Sequence, residues 1–176
     1  MAVTHDAVFV GPARLGRGLF AGRTFAPGET IIRITGRVLD HRVLWNRGGR
    51  FAANCLRFGP ETYLDPGDSP GRFVNHSCEP NAGIGKANNR LFLFAARRIR
   101  ARQEILIDYS TTIGDDDIWT MRCRCGARAC RRVVKRFGSL PLDTQRGYLR
   151  GGLVPGYIVR TLLASRPADT KNEGKG

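Results

Sequence analysis

Three cysteines fall within eight residues, as Cys123-Arg-Cys125 followed by Cys130. Thiols at that spacing suit a metal better than a disulfide framework. The total of five cysteines is odd, and Met1–Gly11 lacks the basic start and long apolar run of an export signal. A tetrahedral zinc ion needs a fourth soft ligand brought close in space. Cys78 is the natural candidate, set in the polar, proline-containing run Asn75-His-Ser-Cys-Glu-Pro-Asn81. Such a site ties distant segments together and so contributes directly to folding. Four thiolates on zinc leave a net negative charge. The stretch Arg122–Arg136 can offset it with Arg122, Arg124, Arg128, Arg131, Arg132, Lys135 and Arg136 and contains no acid. Cys55 stands apart and reads as a small buried hydrophobe.

The elements that must position these residues are short. Runs rich in β-branched or aromatic residues occur at Val8–Val10, Gly18–Phe20, Thr30–Thr35, Tyr63–Leu64, Arg90–Phe94 and Ile105–Tyr109. Between them lie breakers such as Pro27-Gly28, Gly48-Gly49, Pro66-Gly67 and Asn88-Asn89. The pattern predicts a mainly β, irregular domain with little βαβ character. After about Leu140 the pattern turns helical: Pro141 opens a helix reaching Arg150, with Gly151-Gly152 as its stop. Pro155 opens a second, where Ile158/Leu162 and Val159/Leu163 repeat at helical spacing. Residues 167–176 are polar and aperiodic and read as a disordered tail.

With 176 residues the chain suits one domain with a modest core. Hydrophobic content of 41% argues against wholesale disorder, and runs such as Leu91–Ala96 are too short to cross a bilayer. The expected setting is therefore intracellular, without a membrane partner, and the arginine, alanine and glycine bias points to a bacterial cytoplasm, with a secreted effector or a nuclear protein as other settings. The net charge is +14, and with lysine only at positions 86, 135, 171 and 175 the 29 cations include 25 arginines. A GC-rich genome would favour arginine throughout. A strongly positive field nevertheless favours encounter with polyanions, DNA among them.

Four stretches, taken together, resemble the SET-domain protein lysine methyltransferases. They are Leu15-Gly-Arg-Gly-Leu-Phe-Ala21 with Pro27-Gly-Glu29, then Arg72-Phe-Val-Asn-His-Ser-Cys-Glu-Pro-Asn81, then Ala101–Tyr109 with its Glu104-Ile-Leu-Ile-Asp-Tyr109, and last Cys123-x-Cys125-x-x-x-x-Cys130. The resemblance covers about Gly11–Arg132. It implies a SET fold of short strands with a pseudoknot over 1–121 and a post-SET zinc segment over 122–136, ahead of the helical extension over 137–166 already read from the Pro, Gly and apolar spacing. It also implies S-adenosylmethionine as methyl donor and a lysine of a histone, a nucleoid protein or another basic, DNA-associated protein as acceptor. Carried over by position, Leu15, Gly16, Arg17 and Gly18 line the methionine end of the cofactor, where glycine allows close backbone approach. Asn75 and His76 hold its amino group and adenine, Arg72 belongs to the same cofactor loop, and Arg124 closes over the adenine. Tyr109 contacts the cofactor and is the catalytic residue. Cys78, Cys123, Cys125 and Cys130 are the structural zinc ligands.

Methyl transfer to an amine needs the neutral nucleophile. A free lysine has a pKa of about 10.4, so neutralising it at pH 7 costs about 4.6 kcal/mol. Burial beside a sulfonium cation disfavours the ammonium, and a narrow channel with a placed phenol supplies orientation without a strong base. Glu104 and Asp108 are expected to fix the ends of the strand that carries Tyr109. Strand alternation puts Ile105, Ile107 and Tyr109 on one face. Ile107 would then stand where the family has Phe or Tyr, which predicts room for di- or trimethylation. Two other departures are Asn54-Cys55 where the family often has a tyrosine, and Arg33-Ile-Thr-Gly36 for its Glu-Tyr-x-Gly. The insert, roughly Asp40–Gly59, is short, and Asp115-Asp-Asp117 is placed to form an acidic lip for basic substrates. The alternatives are a zinc-stabilised nucleic-acid-binding module and a SET scaffold without turnover.

Overall fold

Turn chemistry breaks the chain into short pieces before any sheet can grow wide. The computed structural model describes residues 7–165, so the tail at 167–176 lies outside the described residues. β1 (Val8–Pro12) and β2 (Arg17–Ala21) form an antiparallel hairpin pairing Val8 with Ala21 and Pro12 with Arg17. Gly16 turns it with a φ of 75°, in the left-handed region that glycine enters without strain. β3 (Thr30–Ile34) pairs with β9 (Arg90–Ala95), which pairs in turn with β8 (Ala82–Ala87). The β8–β9 turn is Asn88-Asn89, both at positive φ of 48° and 56°, as a two-residue hairpin requires. A third sheet orders β4 (Arg37–Asp40), β6 (Thr62–Asp65) and β5 (Leu56–Arg57) as β4-β6-β5.

The main core lies under these sheets, with Leu19, Phe25, Ile31, Ile84, Leu93, Ile99, Ile105 and Ile107 at most 1% exposed. Along β9 the buried residues Leu91, Leu93 and Ala95 alternate with half-buried Phe92 and Phe94, the pattern of a strand with one face in the core. No helix among the described residues is long and apolar enough to cross a membrane.

Two strands of two residues each do the most to organise the chemistry. β7 (Asn75–His76) runs parallel to β10 (Leu106–Ile107), pairing Asn75 with Leu106 and His76 with Ile107. The Ser77 and Asn81 amides donate to the Ile107 and Leu106 carbonyls on one side of this segment. On its other side, the Ile105 amide donates to Leu19 and the Ala21 amide to Gln103. The third motif thus runs between the first and the second, which is the crossing expected of a pseudoknot. The fold is mainly β, as the sequence pattern predicts.

The insert is more structured than its turn residues suggest, holding α1 (His41–Arg47) and α2 (Gly49–Ala52). β11 (Met121–Arg122) and β12 (Val133–Val134) flank the cysteine trio. The C-terminal helices are α3 (Leu142–Arg150), with Pro141 at its N-cap and Gly151 at its C-cap, and α4 (Gly156–Ser165). Phe137, Leu140, Tyr157, Ile158 and Leu162 make a second small core beneath them.

Candidate active site

The strand carrying the third motif ends earlier than its apolar alternation predicts. Asp108 accepts the Ser110 amide at 3.0 Å and caps a 3-10 turn over Tyr109–Thr112, so Tyr109 stands on a turn and not on the strand face of Ile105 and Ile107. This corrects the expectation for Ile107. It is 1% exposed in the main core and does not border the cavity that Tyr109 borders. Glu104 and Asp108 act at the strand ends as expected.

Tyr109 is held at three points. Its amide donates to His76 Nδ1 at 3.1 Å, its hydroxyl donates to the Val74 carbonyl at 2.8 Å, and its ring lies 5.3 Å from the His76 ring. Burial, and then the nearby Glu104 charge, push its phenol up to about 12, so it stays un-ionised near neutral pH. His76 is pulled down to about 4 by burial, against Asp108, which favours the charged form. With Nδ1 accepting, the neutral ring carries its proton on Nε2, 3.4 Å from Cys78 Sγ.

Asn75 joins the first three motifs. Its amide nitrogen donates to the Arg17 carbonyl at 3.0 Å and to Glu104 Oε1 at 2.9 Å. Both amide protons are spent, and Oδ1 is left as an acceptor. Gly18 is required here, because a Cβ would meet the Glu104 carboxylate and come within 2.8 Å of Ala13 Cβ. Arg17 places its guanidinium 4.5 Å from the Phe73 ring centre. Gly16 faces open space and Leu15 is 52% exposed, so this loop presents backbone and little else.

Two cavities flank the junction. The first, of about 400 Å³, is bordered by Tyr109, Arg72, Val74, Tyr63 and Trp119, with Asn54 and Cys55 on the insert side. Asn54 therefore stands where the resemblance leads one to expect a tyrosine, while Tyr63 of β6 adds a phenol to the same wall. Burial pushes the Cys55 thiol up to about 11, which leaves it protonated and unreactive. The second cavity, of about 510 Å³, is bordered by Arg14, Arg122, Arg124 and Arg132 beside Cys123 and Cys130. Arg124 therefore faces the 13–16 turn across open space. Leu15, Gly16, Arg17, Gly18, Asn75 and His76 border neither cavity and lie together at the junction.

The acidic lip does not form as expected. Asp116 is gripped by Arg57 through two contacts of 2.6 Å, and Asp115 Oδ1 accepts the Gly138 amide at 3.1 Å. Asp117 alone borders the cavity. Arg57, only 4% exposed, is a structural residue that sequence reasoning missed. Its partner lies 59 positions away, and no local pattern announces the pair.

Four of the five cysteines converge. The ligand atoms of His76, Cys78, Cys123 and Cys125 lie within 4.8 Å of one another. Cys78 and Cys123 are 3.8 Å apart, Cys130 and Cys123 3.6 Å, and none is in a disulfide. Zinc–sulfur bonds of about 2.3 Å in a tetrahedron put sulfurs about 3.8 Å apart, so these two spacings suit that ion, although the mutually close set contains His76 and not Cys130. The Arg131 amide also donates to Cys78 Sγ at 3.4 Å, as second-sphere groups around thiolates do. His76 was missed as a neighbour of this cluster. Its position two residues before Cys78 is the signal that points to it.

A family model described as "SET domain" matches residues 16–110. The human "Histone-lysine N-methyltransferase 2B" is 34% identical over 132 residues, covering 68% of this chain and 5% of that protein. The "Histone-lysine N-methyltransferase, H3 lysine-4 specific" of Saccharomyces cerevisiae is 32% identical over 126 residues, covering 65% of this chain and 12% of its own length. The chain thus matches only a small part of these relatives. Among solved structures, a humanised mutant of the Chaetomium thermophilum Polycomb Repressive Complex 2 bound to an inhibitor superposes with a TM-score of 0.54 at 25% identity. That match covers 62% of this chain and 15% of the other.

Burial raises the ionisation of every tyrosine in the chain, Tyr63, Tyr109, Tyr148 and Tyr157, above its ordinary value near 10. From about pH 10 upward the unfolded chain loses phenolic protons that the folded chain keeps. The tyrosine contribution to stability is therefore full below about pH 10 and is lost as pH climbs beyond it. Urea melts at pH 9 and pH 11 should show the loss, with absorbance at 295 nm rising mainly at the unfolding step.

Proposed function

This chain belongs to the SET-domain family, and from that premise we propose that it is a protein-lysine N-methyltransferase acting on a histone-like or other basic, DNA-associated protein. One observation carries the reading. The parallel pair of β7 and β10 sets an un-ionised phenol, Tyr109, against Asn75-His76 at the edge of a cavity large enough for a lysine side chain. S-adenosylmethionine, when bound, supplies the sulfonium methyl group that an amine attacks in line. Asn75 Oδ1 is a free acceptor suited to an ammonium such as that cofactor's amino group, and the open backbone at Gly16 is suited to close approach by a ligand. Arg72 borders the cavity wall, and Arg124 faces the same loop from the cysteine segment. Tyr109 anchors its hydroxyl on the Val74 carbonyl and orients what enters the cavity without taking a proton itself.

The structural zinc in this reading is held by Cys78, Cys123, Cys125 and Cys130, with His76 Nε2–H and the Arg131 amide donating to the Cys78 thiolate. Neutral His76 suits that second-sphere role. Arg14, Arg122, Arg124 and Arg132, which make no ion pair among the described residues, favour a nearby polyanion and so a substrate already on DNA. No membrane partner enters this reading, and a bacterial cytoplasm is its proposed setting.

Incubation with labelled S-adenosylmethionine and mixed core histones should place methyl groups on lysine, and Tyr109→Phe should lower the rate about 100-fold with the fold intact. Equal rates in the two proteins would overturn the role given to Tyr109. Purified protein should carry one zinc per chain by elemental analysis. Cys123→Ser or a strong chelator should release it and lower the melting temperature, as expected where metal binding and folding are coupled.

A further inference from the structure

Asp108 gathers donors from three separate parts of the chain. Its side chain is fully buried and caps the Tyr109–Thr112 turn through the Ser110 amide. Arg131 reaches it from the cysteine segment, with Nη2 2.8 Å from Oδ1 and 2.7 Å from Oδ2. The third donor is Tyr148 of α3, whose hydroxyl donates to Oδ2 at 2.9 Å. Arg131 also donates to Ser110 Oγ at 3.3 Å, and its amide to Cys78 Sγ.

A buried carboxylate is held only as well as its donors hold it. Asp108 immediately precedes Tyr109, so any swing of its carboxylate is felt first by the turn that presents the phenol. Two of its donors come from the turn itself and from the cysteine segment. Tyr148 lies in the helical extension, well past residues 16–110 that match the family. Its ring packs against the second small core, so loss of the hydroxyl alone leaves that packing in place.

We propose that Tyr148 is a positioning residue for Tyr109, acting through Asp108, which makes the C-terminal helices a working part of the active site. The kinetic half of this proposal rests on the methyltransferase reading. The structural half does not.

Tyr157→Phe is the matched control. Its hydroxyl donates to the Arg57 carbonyl, which belongs to the insert and not to the catalytic turn. Full-length Tyr148→Phe, Tyr157→Phe and the parent protein are compared by hydrogen exchange over 106–112 and by kcat and KM on core histones. In Tyr148→Phe, exchange at Tyr109, Ser110 and Thr111 should quicken about tenfold. Its kcat should fall about fivefold with KM for S-adenosylmethionine unchanged. Tyr157→Phe should lower the melting temperature and do neither. Exchange unchanged in Tyr148→Phe, or quickened equally in both variants, overturns the proposal, as does an unchanged kcat in an active protein. A parent protein that transfers no methyl group counts against the methyltransferase reading, and the exchange comparison still decides the role of Tyr148.

Discussion

Parallel strands cannot be joined by a tight turn, so the pairing of Asn75-His76 with Leu106-Ile107 closes a loop of about thirty residues and bears its entropy. The β8–β9 hairpin fills about half of that loop and is itself held by a left-handed Asn88-Asn89 turn, which shortens the distance left to close. The closure brings three motifs within hydrogen-bonding reach. Asn75 reaches Arg17 and Glu104, Asn81 takes the Leu106 amide at 2.8 Å, and His76 takes the Tyr109 amide. Asn75, His76 and Tyr109 all hang on those few contacts, and the thiol cluster meets the same segment through Cys78.

The electrostatics follow from burial. Lack of water keeps His76 neutral despite Asp108 nearby, and it keeps Tyr109 protonated with the nearby Glu104 charge acting in the same direction. Asp108 is fully buried as well, and Arg131, Tyr148 and a backbone amide all donate to its side chain. A cavity wall that resists charge on the Tyr109 phenol would, in the proposed reaction, also resist it on a lysine entering there. That is the property an amine nucleophile needs. The basic surface elsewhere, with its many arginines, acts at long range on encounter and not on this step.

Much of this was legible in the sequence wherever a local rule decided the structure. The aromatic-rich run at Arg90–Phe94, the Asn88-Asn89 turn, and the paired Pro and Gly signals around α3 each have a mechanism within a few residues. The cysteine spacing and the Asn75–Asn81 run pointed to the right segments for the same reason. What stayed hidden depends on distant partners. Tyr109 leaves its strand because Asp108 prefers to cap a turn, and Asp108 is in turn held by groups up to 40 residues away. The acidic triplet reads as a free lip until Arg57 is found to hold Asp116 from the other side of the insert. β8 carries two glycines in six residues, a weak strand signal that pairing on β9 overrides.

The proposed chemistry requires that the junction of Asn75, His76 and the Arg17–Gly18 backbone receive the methyl donor's scaffold. Calorimetric titration of the folded, metal-loaded protein with S-adenosylhomocysteine measures this without needing a substrate. One molecule should bind per chain. Affinity should fall about tenfold or more in Asn75→Ala, while Arg33→Ala, on the exposed side of β3, should leave it unchanged. Absence of binding to the unaltered protein, or equal binding by Asn75→Ala, would contradict the account.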